Sequence, residues 1–84
     1  MATIKRRPQV GDAVVSLSSG KRYIVEDIHR NGISTRIAFY GVVAVDNPSW
    51  PNAFKPGEVA VLDRSGQNAA HADYVAHGGV PADA

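Results

Sequence analysis

The stretch Arg22-Tyr23-Ile24-Val25-Glu26-Asp27-Ile28-His29-Arg30-Asn31-Gly32-Ile33-Ser34-Thr35-Arg36-Ile37-Ala38-Phe39-Tyr40 decides the fold class. Two runs rich in isoleucine, valine and aromatic residues flank Asn31-Gly32. Asn-Gly between β-rich runs is a strong hairpin signal, because a type I′ turn needs positive φ at both central positions. A two-residue loop there places Arg30 opposite Ile33, Ile28 opposite Thr35, Glu26 opposite Ile37 and Ile24 opposite Phe39. One face then collects Ile24, Ile28, Ile33, Ile37 and Phe39 and is expected to form the core. The other collects Tyr23, Val25, Asp27, His29, Ser34, Arg36, Ala38 and Tyr40 and is expected to face outward. A slip of one residue would flip every side chain, so the separation supports the register. Glu26 is the misfit on the apolar face. A barrel-end position or a local bulge would let it reach water.

Working outward, residues 13–17 read as a strand with Ala13, Val15 and Leu17 on one face, followed by a turn at Ser18-Ser19-Gly20-Lys21. Residues 22–29 and 33–40 are the hairpin strands. Gly41 marks a bulge or bend before a fourth strand over residues 42–46. Residues 46–57 hold Pro48, Pro51 and Pro56 and read as a long stiff loop, since proline fixes φ and lacks a donor. Lys55-Pro56-Gly57-Glu58 suits a type II turn. A fifth strand follows over residues 58–63, with Val59 and Val61 alternating against Ala60 and Leu62, and Ser65-Gly66 closes it. Asn68 then reads as the N-cap of a short helix over residues 69–77, docked through Ala72, Val75 and Ala76. Gly78-Gly79 is its stop signal. Residues 80–84 are expected to be disordered.

Composition points the same way. Eleven valines and five isoleucines stand against two leucines, and branching at Cβ favours strands over a helical bundle. A chain of 84 residues has room for one core. The expected architecture is mainly β: a basic N-terminal arm over residues 1–10, a five-stranded small barrel over 11–66, and a short C-terminal helix with a flexible tail over 67–84. The absence of cysteine excludes disulfides and thiolate metal sites. No apolar run approaches the roughly 20 residues of a membrane span. Lys5-Arg6-Arg7 is not followed by an apolar segment of signal-peptide type, so the expected location is cytoplasmic.

The segment from Val10-Gly11-Asp12-Ala13-Val14-Val15 through Ser18-Ser19-Gly20 to Glu26 resembles the opening of YodC-like small bacterial proteins, which begin on Gly-Asp, a strand and a Ser-Gly turn. The strand order is similar to that of the SH3-like small-barrel families. That resemblance implies a module that binds nucleic acid, peptides or copies of itself.

Two candidate surfaces follow. Trp50 is the single tryptophan and lies between Pro48 and Pro51. With Phe54 it is either a partner anchor, rimmed by Asn47, Asn52 and Lys55, or a plug that caps the barrel. The second surface is basic. The chain carries a net charge of +4 through Arg36 and −3 beyond it. Lys5, Arg6, Arg7, Lys21, Arg22 and Arg30 form a candidate phosphate-tracking stripe, and exposed Tyr23 and Tyr40 would stack on bases. Arg36 is set aside as the cross-strand partner of Asp27. His71 and His77 lie six apart, which is not a zinc spacing on one helix face; His77 reads instead as a partner of the helix dipole. Neither a phosphate loop nor a nucleophile elbow is present. The sequence therefore reads as a non-enzymatic, cofactor-free binding module of bacterial or phage type. Its partner is another protein, or a second copy paired through open edges at residues 13–17 and 58–63. The alternative is a small nucleic-acid-binding regulator.

Overall fold

The computed structural model describes residues 2–33 and 36–80. It is mainly β: six antiparallel strands in one sheet, followed by one helix. The strands are β1 (Thr3–Ile4), β2 (Ala13–Ser16), β3 (Arg22–Arg30), β4 (Ile37–Ala44), β5 (Asn47–Phe54) and β6 (Val59–Leu62), and the helix is α1 (Arg64–Ala76). The order across the sheet is β1-β6-β2-β3-β4-β5, so β1 and β5 are its two edges. There are six strands rather than five, and the sheet is open. The additional strands are β1, drawn from the basic lead-in and paired with β6 through Thr3↔Leu62 and Ile4↔Val61, and β5, drawn from the expected loop. The two expected strands at 33–40 and 42–46 are one, β4.

The hairpin is the principal correction. Its pairs are Arg30↔Ile37, His29↔Phe39, Ile28↔Tyr40 and Asp27↔Gly41, so Arg30 faces Ile37 and not Ile33, and a two-residue Asn31-Gly32 loop does not join the strands. Gly32 has φ +49°, but Asn31 does not adopt positive φ, which a type I′ turn requires. Asp27 consequently faces Gly41, not Arg36. Two bulges then rearrange the faces. The register shifts between Val25 and Asp27, leaving Glu26 as an exposed extra residue, and again at Ala38. Each extra residue reverses the alternation beyond it. Ile28 is thereby placed on the face opposite to Ile24, and Ile37 on the face of Tyr40. Of the expected core, Ile24 is buried, Ile28 and Ile37 are half-buried, Phe39 is partly exposed and Ile33 is fully exposed. The predicted positions of Ser34 and Thr35 lie outside the described residues.

Both faces of the sheet are buried. On one, Ala13, Val15, Ile24, Val43, Val45 and Leu62 pack against Ala70 and Tyr74 of α1. On the other, Val14, Tyr23, Val25, Tyr40, Val42, Val59 and Val61 are at most 8% exposed, although α1 lies on the far side. Among the described residues no second layer lies above them; they pack on one another, with Ile28, Ile37, Ala44 and Phe54 around them. The sheet curls there: Phe54 on β5 closes on Tyr23 of β3 edge-to-face at 4.9 Å, although β4 runs between the two strands. The alternation of Val59 and Val61 against Ala60 and Leu62 sorts the side chains of β6 onto the two faces as expected. The type II turn at Lys55–Glu58 also has its expected form: Glu58 N–H donates to Lys55 C=O at 3.0 Å and Gly57 has φ +94°.

The helix starts earlier than expected. Asp63, not Asn68, is the N-cap, and its Oδ1 accepts Gly66 N–H at 2.8 Å. Ser65-Gly66 lies within the helix rather than closing the strand. The docked residues are Ala70 and Tyr74, whereas Ala72, Val75 and Ala76 are exposed. At the C-terminus, Gly78 N–H bonds Val75 C=O, Gly79 N–H bonds Tyr74 C=O and Gly78 has φ +94°, the pattern of a Schellman cap. Val80 is exposed, and the rest of the expected tail lies outside the described residues.

Candidate protein-docking surface

Prolines confine β5 to an edge, because a central strand needs every donor. The pairs Tyr40↔Phe54, Gly41↔Ala53, Val42↔Asn52 and Val43↔Pro51 tie one side of β5 to β4. Proline has no N–H to give to the ladder, so Pro51 occupies a position whose backbone groups point away from β4. By alternation Ala53 shares that orientation. Its N–H is met by the Asn52 side chain, whose Oδ1 accepts it at 2.8 Å. The outer edge of β5 thus lacks one donor and has another already satisfied. These two features blunt an edge against strand addition.

What β5 offers a partner is side chains. Trp50 lies in the irregular stretch between the Val43↔Pro51 and Ala44↔Asn47 pairs and is 66% exposed. Asn47, Asn52 and Lys55 are exposed nearby in sequence. Ser49 Oγ donates to Asn47 Oδ1 at 3.0 Å, and Lys55 N–H donates to Glu58 Oε1 at 2.6 Å, so both ends of the segment are braced. Phe54 does not join this group: it lies against Tyr23 and belongs to the core. The two aromatics that the sequence reading grouped together are thus separated, Trp50 in solvent and Phe54 packed inward.

The basic stripe is divided by its own ion pairs. Both guanidinium nitrogens of Arg6 bond the Asp12 carboxylate at 3.0 and 3.1 Å, and Arg22 pairs with Asp73 on α1. Lys5, Arg7, Lys21 and Arg30 are exposed. Tyr23 and Tyr40 are 7% and 3% exposed, so neither presents a ring face for stacking. His71 Nε2 donates to Gly11 C=O at 2.7 Å and His77 Nδ1 to Asp73 C=O at 2.7 Å, while His29 stacks on Phe39 at 4.3 Å. His77 is the C-cap residue of α1, at the helix end where its ring was expected. Among the described residues no three histidine or acidic side chains gather as a metal site, and no helix is long and apolar enough to cross a membrane.

Two features were not anticipated. A cleft of about 340 Å³ lies between Ala2 and the start of α1, lined by Arg22, Asp63, Ser65, Gly66 and Ala69. Its two charged groups are engaged, Arg22 with Asp73 and Asp63 with Gly66 N–H. The other feature is the far half of the β3–β4 ribbon. β2 accompanies β3 only as far as Val25, and β5 accompanies β4 only as far as Tyr40, so the remainder projects as two strands. The signal for it in the sequence is Glu26-Asp27, two charges inside an apolar run.

Comparisons of the chain with protein-family models, with curated proteins and with solved structures find no match.

Proposed function

We propose that the chain is a non-enzymatic protein-binding module of bacterial or phage type that docks on its partner through Trp50 and the polar residues Asn47, Asn52 and Lys55, acting as an accessory or inhibitory factor. The curled sheet supports reading its architecture as an open relative of the SH3-like small barrel. The observation that carries the reading is the exposure of Trp50 on a braced, proline-stiffened edge strand whose neighbour Phe54 already supplies the packing. Tryptophan is enriched among residues that dominate binding energy. A segment held by prolines and side-chain bonds loses little conformational entropy on docking. The burial of Tyr23 and Tyr40 and the ion pairs of Arg6 and Arg22 weigh against the nucleic-acid alternative.

The test is comparative capture. Immobilised wild-type chain and Trp50→Ala are exposed to the same bacterial extract, and an electrophoretic shift with single- and double-stranded nucleic acid is run across salt concentrations. Proteins retained by the wild type and released by Trp50→Ala, with no shift at low salt, are the expected result. Identical retention by the two chains, or a shift with a steep salt slope, contradicts the proposal.

A further inference from the structure

The strands expected at open edges, residues 13–17 and 58–63, are interior: β2 pairs with β3 and β6, and β6 with β1 and β2. Asn31-Gly32, expected as the hairpin turn, is likewise not used as one. Its chemistry is then the notable thing about it. The chain has four asparagines, Asn31, Asn47, Asn52 and Asn68. An asparagine can react with its own backbone: the nitrogen of the next residue attacks the side-chain amide carbon and closes a succinimide ring. The attack needs a nitrogen that carries a hydrogen, no Cβ crowding that nitrogen, and a backbone able to bring it over the side chain.

The fold denies these conditions at three of the positions. Asn47 precedes Pro48, whose nitrogen has no hydrogen to lose. Asn52 lies within the paired strand β5, and Ala53, which has a Cβ, directs its N–H to Asn52 Oδ1 at 2.8 Å. Asn68 lies inside α1, where the N–H of Ala69 is bonded to the carbonyl four residues back. Asn31 meets every condition. It follows the last residue of β3 and belongs to neither strand nor helix. Asn31 and Gly32 are both exposed, and Ile33 next to them is fully so. A glycine nitrogen has no neighbouring Cβ, and glycine crosses readily between backbone conformations. Gly32 stands at φ +49°, and among the described residues nothing beyond its chain neighbours comes within 4 Å of where a Cβ would lie. The bond from Asn31 N–H to Arg36 C=O, 3.1 Å long, uses neither reacting group.

We propose that Asn31 is a self-modification site, at which the chain deamidates without an enzyme. Gly32 N forms a bond to Asn31 Cγ, the Cγ–Nδ2 bond breaks, and ammonia departs with the hydrogen given up by Gly32 N. Water then opens the succinimide. Opening at Cγ leaves aspartate; opening at the main-chain carbonyl carbon leaves isoaspartate, with the chain routed through Cβ. Nothing is oxidised or reduced. Either product replaces a neutral amide by a carboxylate and takes the formal net charge from +1 to zero. The new charge follows Arg30 directly and sits on the residue whose N–H bonds Arg36 C=O. The end of β3 in an aged chain is thus a different electrostatic surface from the one first synthesised.

Mass spectrometry of the intact chain and of its peptides, after long incubation at mildly alkaline pH, tests it. The samples are the folded wild type, the wild type in denaturant, and Gly32→Ala, with circular dichroism to check the fold. In the folded wild type, Asn31 should convert to aspartate and isoaspartate at a rate close to that in denaturant, while Asn52 and Asn68 remain amides. Gly32→Ala should slow the conversion by at least about tenfold, folded or unfolded, because the near-attack geometry is lost. An Asn31 amide that persists in the folded chain after the denatured chain has converted overturns the proposal. So does conversion of Asn52 or Asn68 at the same rate in the folded chain, or a Gly32→Ala chain that converts as fast as wild type. No partner takes part in the measurement, so its outcome is independent of the docking reading.

Discussion

Gln67 shows how one side chain can complete a backbone ladder. Its Oε1 accepts Ala13 N–H at 2.8 Å, while its Nε2 donates to Ala13 C=O at 2.8 Å and to Leu62 C=O at 3.1 Å. The amide thereby meets Ala13 as a neighbouring strand would and fastens α1 to the start of β2 and the end of β6. Ala13 is fully buried, so its backbone groups have no water to turn to. Removing the partner of a buried polar group costs roughly 1–3 kcal/mol. Gln67→Ala is expected to lose about 2–3 kcal/mol in denaturant unfolding, and Gln67→Glu should not rescue it, because a carboxylate keeps the acceptor and loses both donors. A Gln67→Ala midpoint equal to wild type would mean that the amide bonds are dispensable. Gly79 is fixed by a different constraint: a Cβ there would lie 2.5 Å from the Tyr74 ring, so the chain end can cover Tyr74 only as glycine.

Among the elements, α1 is held by its ends. Asp63 caps the first turn through Gly66 N–H, and the Schellman pair at Gly78 and Gly79 closes the last. Asp63→Ala should lower stability by about 1 kcal/mol, the usual contribution of an N-cap, and an unchanged thermal midpoint would remove the cap from this account. The early start of the helix was hidden in the sequence by Gly66, a residue that costs about 1 kcal/mol in a helix interior. It is explained only by the fold, where a Cβ on Gly66 would come within 2.9 Å of Leu62 Cβ. Elements fixed by near neighbours were legible: the turns at residues 18–21 and 55–58, the alternation along β6, and the strands β2 and β3. The bulges at Glu26 and Ala38 were not, because a bulge is a property of the ladder and needs the partner strand to be seen. With them went the register and the sorting of Ile28, Ile33 and Phe39. β5 was missed for a related reason. Pro48 and Pro51 argue against a central strand, and only the topology shows that this one lies at an edge. Of the candidate surface, Asn47, Asn52 and Lys55 were legible as polar residues around Trp50, but whether Trp50 is exposed or caps the core was left open by the sequence and is decided by the fold. Phe54 was not separable from Trp50, since both are aromatics on one proline-rich stretch.

At the scale of the molecule, 84 residues build a buried cluster on each face of a single sheet, one beneath α1 and the other around Tyr23, Tyr40 and Phe54. Small chains have little interior to spend on stability, and here the large aromatics Tyr23, Tyr40, Phe54 and Tyr74 are all used inward. Trp50 alone among the large rings lies mostly in solvent. Paired denaturant unfolding of Trp50→Ala and Phe54→Ala tests that division of labour. Phe54→Ala should lose about 2 kcal/mol or more by removing the ring that closes on Tyr23, while Trp50→Ala should stay within about 0.5 kcal/mol of wild type. A loss of about 3–5 kcal/mol for Trp50→Ala, with Phe54→Ala near wild type, would contradict the account.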